Sequence, residues 1–218
     1  MIKLEHTETF NWEGAIRGMR NPMNSWDKSD SDWESKWENG WTTSVYNVGK
    51  NDLDLMKRLA KAGSDHRKFM RQIFVSVDIT APLYWWKEFD TYKVGTVANS
   101  CSTMHKIHAK EFTLDDFSLD QCGMLVEDVF IQHIIPVLNI YRKLFCGIEC
   151  GDRKGQKIDW YSMIQLLPTS YNQKRTVTMN YENLVNMYHV RKNHKLDEWK
   201  DFCAWIEELP YSEIIVGD

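Results

Sequence analysis

The chain contains no G-x-x-x-x-G-K-[ST] and no G-x-G-x-x-G, so neither a P-loop ATPase nor a Rossmann dehydrogenase has support. A G-x-S-x-G nucleophile elbow is missing as well. No apolar run approaches the ~18 residues of a membrane span, and the opening MIKLEHTETF lacks a signal-peptide pattern. Five cysteines (Cys101, Cys122, Cys146, Cys150, Cys203) are an odd number without an export signal, which fits free thiols in a reducing cytoplasm. Net charge is only −4, from 27 Lys+Arg against 31 Asp+Glu, which argues against a general nucleic-acid or anionic-membrane binder. Neither an internal repeat nor a dividing linker is visible. The expectation is one domain over residues 1–218, long enough to need no disulfide or metal.

What the sequence has in quantity is aromatic side chains: 13% of residues, with ten Trp. Four of the ten Trp fall in residues 25–50, a Ser-, Asp- and Trp-rich stretch that reads as a surface insertion. Trp33, Trp37 and Trp41 are four apart, a spacing that predicts a short helix with the three rings on one face. They would then cover the rest of the domain, or clamp a partner or ligand. The first 24 residues read as a short helix with Trp12, Ala15, Ile16 and Met19 on one side, stopped at Asn21-Pro22. Helix is also expected over 53–62, ended by Gly63. Ile73, Val75, Val77 and Ile79 alternate as in a half-buried strand, with Thr80 as the expected N-cap of the next helix. A long helical region over 115–145 must be kinked or divided at Pro136. A short helix at 161–167, a strand at 176–179 and helices at 182–191 and 196–209 complete a helix-rich mixed α/β chain.

Three constellations could carry chemistry. Cys101-x3-His105-x2-His108 lacks a fourth ligand, and Cys146-x3-Cys150 lacks zinc or redox spacing, so no metal is expected. The second is the segment from Thr91 to His105, a polar loop whose Thr91, Tyr92, Thr96, Asn99, Ser100, Ser102 and Thr103 can hydrogen-bond a nucleotide. The third is Asn180 to Arg191, where Arg191 ends a helix and is followed by Lys192, His194 and Lys195. A guanidinium there can grip a phosphate or a pyrimidine edge, or simply complement the helix dipole in solvent.

At the last two segments the chain resembles the flavin-dependent thymidylate synthases, also called thymidylate synthase-complementing proteins. The similarity is one of order and spacing over nearly the whole chain. Leu4…Thr7…Ala15-Ile16-Arg17 looks like the family's first strand and helix, and the strand at 73–79 looks like the unit before its Arg-His-Arg-x7-Ser signature. Leu166-Leu167-Pro168 is similar to its Arg-x-x-Leu-Pro step, and Asn180 through Arg191 to its Asn-x-Arg…Leu-Arg helix. The resemblance implies a small mixed or antiparallel sheet flanked by long helices. It implies methylation of deoxyuridylate, or a related pyrimidine nucleotide, with FAD and methylenetetrahydrofolate, NADPH serving as a further co-substrate. It further implies a homotetramer with shared sites. The alternative within this fold is a catalytically altered protein that binds a nucleotide or a partner.

By position, Ser102 matches the signature serine beside the nucleotide and stands as the catalytic candidate. Arg191, Ser102, Asn99 and Lys93 are the implied nucleotide contacts, and Asn180 and Asn186 the amides facing the flavin. Several charges depart from the family pattern. Tyr92-Lys93-Val94 stands for Arg-His-Arg, Ser100 for a glutamate and Met104-His105 for Arg-Tyr. Gln165 precedes Leu-Pro, Glu182 replaces the arginine of Asn-x-Arg, and the flavin-contacting His-x-Ser-x-x-Glu-His survives only as Asp65-His66-Arg67…Met70-Arg71. Each lost charge-assisted hydrogen bond is worth about 1.5–3 kcal/mol. Lys93, Arg67, Arg71 or Lys195 would have to substitute.

Overall fold

The computed structural model describes residues 2–38, 40–148 and 151–217, with the side chain of Glu38 left aside. Strand β1 (Lys3–Phe10) leads through Asn11 into α1 (Trp12–Arg20), so the expected opening helix is preceded by a strand, as the family resemblance implied. A hairpin of β2 (Asp32–Glu38) and β3 (Trp41–Asn47) follows, then α2 (Lys50–Lys61), β4 (Phe74–Pro82), α3 (Leu83–Phe89) and the short β5 (Val97–Ser100). The chain continues through α4 (Met124–Val129), α5 (Ile135–Cys146), α6 (Lys157–Leu166), β6 (Asn172–Asn180), α7 (Tyr181–Arg191), α8 (Asp197–Glu207) and α9 (Glu213–Val216). Four strands form one small antiparallel sheet in the order β1-β4-β6-β5, and the result is the expected helix-rich mixed α/β fold.

By packing, the chain divides into two compact units. One comprises Met1–Lys3, Asp78–Thr91 and Ala98–Thr176; the other comprises Leu4–Val77, Tyr92–Val97 and Val177–Asp218. In the first, α3 buries Trp85, Trp86 and Phe89, and a separate cluster joins Ile107, Phe112, Phe117, Phe130, Leu138 and Met163. In the second, Ile73, Val75 and Val77 of the alternating strand are fully buried, with Met179, Tyr181, Leu184, Met187, Trp199, Phe202 and Ile206. That alternation behaves as its period requires. Thr80 does not cap a helix: β4 runs on to Pro82, which itself precedes α3.

Pro136 does not break the long helix. A π-helical turn over Phe130–Ile134 comes directly before it, and this local change of hydrogen-bond pattern lets the helix pass through Pro136. Met124–Cys146 is therefore 23 residues of unbroken helix. By length and composition it is apolar enough to cross a membrane, although polar and charged residues interrupt its apolar run. One side rests on the Phe117 cluster through Phe130 and Leu138, while Met124 and Leu125 are 83% and 77% exposed.

The Trp-rich insertion is a hairpin and not a helix. Its Asp, Ser and Asn residues disfavour helix, and Trp41-Thr42-Thr43-Ser44-Val45-Tyr46 favours an extended strand. The register pairs Trp33 with Tyr46 and Trp37 with Thr42. Trp33, Trp37 and Tyr46 therefore share one face, while Trp41 points from the other. Exposures of 54%, 73% and 77% for Trp33, Trp37 and Trp41 show that they do not cover a core.

The base of the hairpin is fastened by buried charge. Arg20 Nε donates to Asp52 Oδ1 at 2.6 Å, and the same guanidinium donates to the carbonyls of Ser25 and Lys28. Asp52 Oδ2 accepts from the hydroxyls of Ser29 and Ser31, each at 2.7 Å, and from the Asp30 N–H. Burial alone would raise the Asp52 carboxyl, but the hydrogen bonds from Ser29, Ser31 and Arg20 and the Arg20 charge hold it below its ordinary value.

Candidate functional site

In the second unit, the polar segment 92–95 is held against both ends of α7. At the N-terminal end, Asn180 and Asn183 form a reciprocal cap: Asn183 N–H donates to Asn180 Oδ1 at 3.0 Å, and Asn180 N–H to Asn183 Oδ1 at 3.3 Å. Asn183 Nδ2 donates to the Val94 carbonyl at 2.6 Å. Gly95 has φ +76°, and a Cβ there would lie 2.8 Å from Asn180 Nδ2, so the close approach requires glycine. Beside these groups, Thr96 Oγ1 is buried with no hydrogen-bond partner. Asn180 Oδ1 is thus committed to the cap, whereas Asn186 stands exposed further along the helix.

At the C-terminal end, half-buried Arg191 donates from Nε to the Tyr92 hydroxyl at 2.9 Å. Its guanidinium lies 4.7 Å from the centre of the Trp199 ring and 5.6 Å from that of Tyr92. The two rings meet edge to face at 6.1 Å. This is a fixed cation: cation–π contact restrains a side chain that otherwise carries large rotamer freedom. Lys93, next to Tyr92, is exposed. Tyr92 thus positions the Arg191 cation. Trp199 was legible in the sequence only as part of a core face.

Arg67 and Arg71 have a different fate. Both bind Glu182, Arg67 Nε at 3.3 Å and Arg71 through a short, two-nitrogen contact. Burial would raise the Glu182 carboxyl, but hydrogen bonds from Arg71 and Arg67 outweigh that and lower it. Glu182 in turn holds the Arg71 guanidinium above its usual value. Two departures from the family pattern therefore pair with one another, and these arginines are not available as substitutes for the missing cations. Their separation of more than a hundred residues left no sequence signal.

The remaining candidates lie in the first unit. Asn99 is exposed on β5, and the Cys101 N–H and carbonyl bond Lys174 O and Gln173 Nε2. Ser102 Oγ accepts from the His105 N–H at 2.9 Å, capping a turn, and its own O–H remains able to donate. Next in the chain, Met104, His105 and His108 line a cleft of about 310 Å³ with Phe145, Gly155, Lys157 and Trp160. His108 Nδ1 is buried there without a partner, its ring edge-on to Phe145 at 4.7 Å. Among the described residues no three His, Cys, Asp or Glu side chains gather as metal ligands. Cys101, Cys122, Cys146 and Cys203 are free thiols, and Cys150 lies outside the described residues.

No family model matches this sequence, and no curated protein is similar to it. Solved structures are. One is the flavin-dependent thymidylate synthase ThyX from Helicobacter pylori complexed with FAD and dUMP, with a TM-score of 0.69 and 15% identity over 98% of this chain and 95% of that chain. A second structure of the Helicobacter pylori enzyme with FAD and dUMP gives 0.68 and 15% over 98% and 94%. The chain has the fold of these synthases. At 15% identity the likeness extends to the whole backbone, and the side chains must be judged one at a time.

Proposed function

We propose that the protein is a divergent flavin-dependent thymidylate synthase-like methyltransferase of nucleotide biosynthesis, acting on deoxyuridylate or a related pyrimidine nucleotide. The observation that carries this reading is the Arg191 guanidinium held between Tyr92 and Trp199 at the end of α7, in a chain with this fold. Arg191 would bind the nucleotide as a pre-oriented donor fork, and Lys93 would neutralise phosphate charge. Ser102, whose hydroxyl can still donate, and the exposed Asn99 amide are assigned to the nucleotide by the family resemblance alone. The residues present suit a flavin modestly: the unpartnered Thr96 hydroxyl beside the Asn180–Asn183 cap, the Asn180 Nδ2 and the exposed Asn186 amide can orient its polar edge. Bound there, FAD would supply the redox chemistry, with methylenetetrahydrofolate as carbon donor and NADPH as reductant. The setting we read as cytoplasmic.

The exposed apolar side chains of Met124–Cys146, with Ile158 and Leu166 on α6, support assembly of several copies, a homotetramer by analogy of fold. Light scattering on the purified protein checks this, and a monomer at all concentrations opposes it.

The decisive experiment measures flavin retention and deoxyuridylate binding for the wild-type protein and Arg191→Ala. Nucleotide affinity should fall about tenfold or more with the circular dichroism unchanged, matching loss of a charged hydrogen bond. A colourless protein that ignores excess flavin and deoxyuridylate refutes the proposal. The engagement of Arg67 and Arg71 by Glu182 favours a second reading, a nucleotide- or partner-binding protein without turnover. Formation of thymidylate from deoxyuridylate would dispose of that alternative.

A further inference from the structure

We infer that the hairpin forms one wall of a second small-molecule site, specific for a neutral planar heterocycle whose ring presents adjacent N–H and C=O groups, the lactam edge of uracil-, guanine- and pterin-type rings. The site is a cleft of about 640 Å³ within the second unit, a size that accommodates one nucleoside. Phe10, Trp33, Tyr46 and Tyr211 present aromatic surface to it. Such walls stack flat rings, at about 1–3 kcal/mol per base where this has been measured by substitution.

The polar groups define the edge that is read. Glu13 and Arg17 stand one turn apart on α1, both exposed and both lining the cleft. Glu13 Oε2 accepts from Trp33 Nε1 at 3.2 Å, which fixes the carboxylate against the aromatic wall and leaves Oε1 to accept from a ligand N–H. A guanidinium beside it can only donate, which suits a ligand carbonyl. A carboxylate and a guanidinium together offer no net positive charge for a phosphate, so the arrangement selects a neutral ring.

The walls are built to hold still. Tyr211 accepts the Val48 N–H at 3.0 Å, and its ring meets Trp12 edge to face at 5.0 Å. Trp33 and Tyr46 meet at 5.2 Å across the hairpin. Two cleft residues, Asn11 and Tyr211, adopt φ of +68° and +54°. For a bulky tyrosine that conformation is strained, and such strain persists where the surroundings over-determine it, often at ligand clamps.

Isothermal titration of the Arg191→Ala protein separates this cleft from the proposed nucleotide site. The probes are uridine, guanosine and pterin, with 3-methyluridine and 1-methylguanosine as rings whose edge N–H is blocked. At least one lactam probe should bind, its N-methyl counterpart or a Glu13→Gln variant weakening binding about tenfold or more. Trp33→Leu should weaken binding comparably. Glu13 and Trp33 are exposed, so neither change threatens the fold, which the thermal transition verifies. Failure of all three probes to bind at about 10 mM, a limit corresponding to negligible affinity, overturns the inference, as does equal binding of the methylated rings. Retained binding in Glu13→Gln would likewise overturn it. None of these results bears on Arg191.

Discussion

Trp86 and Trp37 are the same residue type in opposite circumstances. On α3, Trp86 is buried: its Nε1 donates to the Gln173 carbonyl at 2.9 Å, Trp85 and Phe89 meet it edge to face, and Arg175 stacks over it at 4.0 Å. On the hairpin, Trp37 and Trp41 project into solvent, while its base is fastened by Arg20 and Asp52 and by the Trp33–Glu13 hydrogen bond. One set of indoles stabilises the fold through burial, while the other is displayed by it. A high tryptophan content therefore does not measure the size of the core.

The largest test of that contrast is Trp86→Ala, which should destabilise the protein by about 3–5 kcal/mol in denaturant titrations, from lost burial and an orphaned carbonyl. Asp52→Ala should cost a comparable or slightly smaller amount, about 3–4 kcal/mol, because it leaves Arg20 buried without its carboxylate. Its signature is loss of amide exchange protection in the hairpin, and replacing Arg20 by Met in the same protein should recover part of the loss. A smaller effect is expected from acid. Asp52 and Glu182 titrate below their ordinary values in the folded protein, so the unfolded chain binds more protons as pH falls. Their contribution is complete above about pH 5 and is lost as pH drops through the folded values, a slope that Glu182→Gln should reduce in acid unfolding curves. Least of all, Trp37→Ser and Trp41→Ser should each change stability by no more than about 0.5 kcal/mol. A larger loss in the monomeric protein would mean the hairpin carries more of the fold than its exposure indicates.

The two aromatic regions also mark how far the sequence could be read. Period-2 alternation identified Ile73, Val75 and Val77 as buried, because one strand face needs no knowledge of its neighbours. The i, i+4 spacing of Trp33, Trp37 and Trp41 is equally compatible with two strands, and the turn between Trp37 and Trp41 moves the third ring to the other face. The candidate site was half legible in the same way. A cation at Arg191, ending a helix, follows from local sequence, but the Asn180–Asn183 cap and the Tyr92 and Trp199 partners come from the structure. Arg67 and Arg71 stand in the sequence among four cations able to substitute for lost ones; the carboxylate that engages them comes from α7.

Local order was written in the chain itself: the strand at β4 and the helices α7 and α8 are set by interactions within a few residues. The tertiary structure alone decided which indoles are buried, which arginines are paired and where a cleft opens. Burial and ion pairing depend on groups far apart in sequence, brought together only when the whole chain has packed.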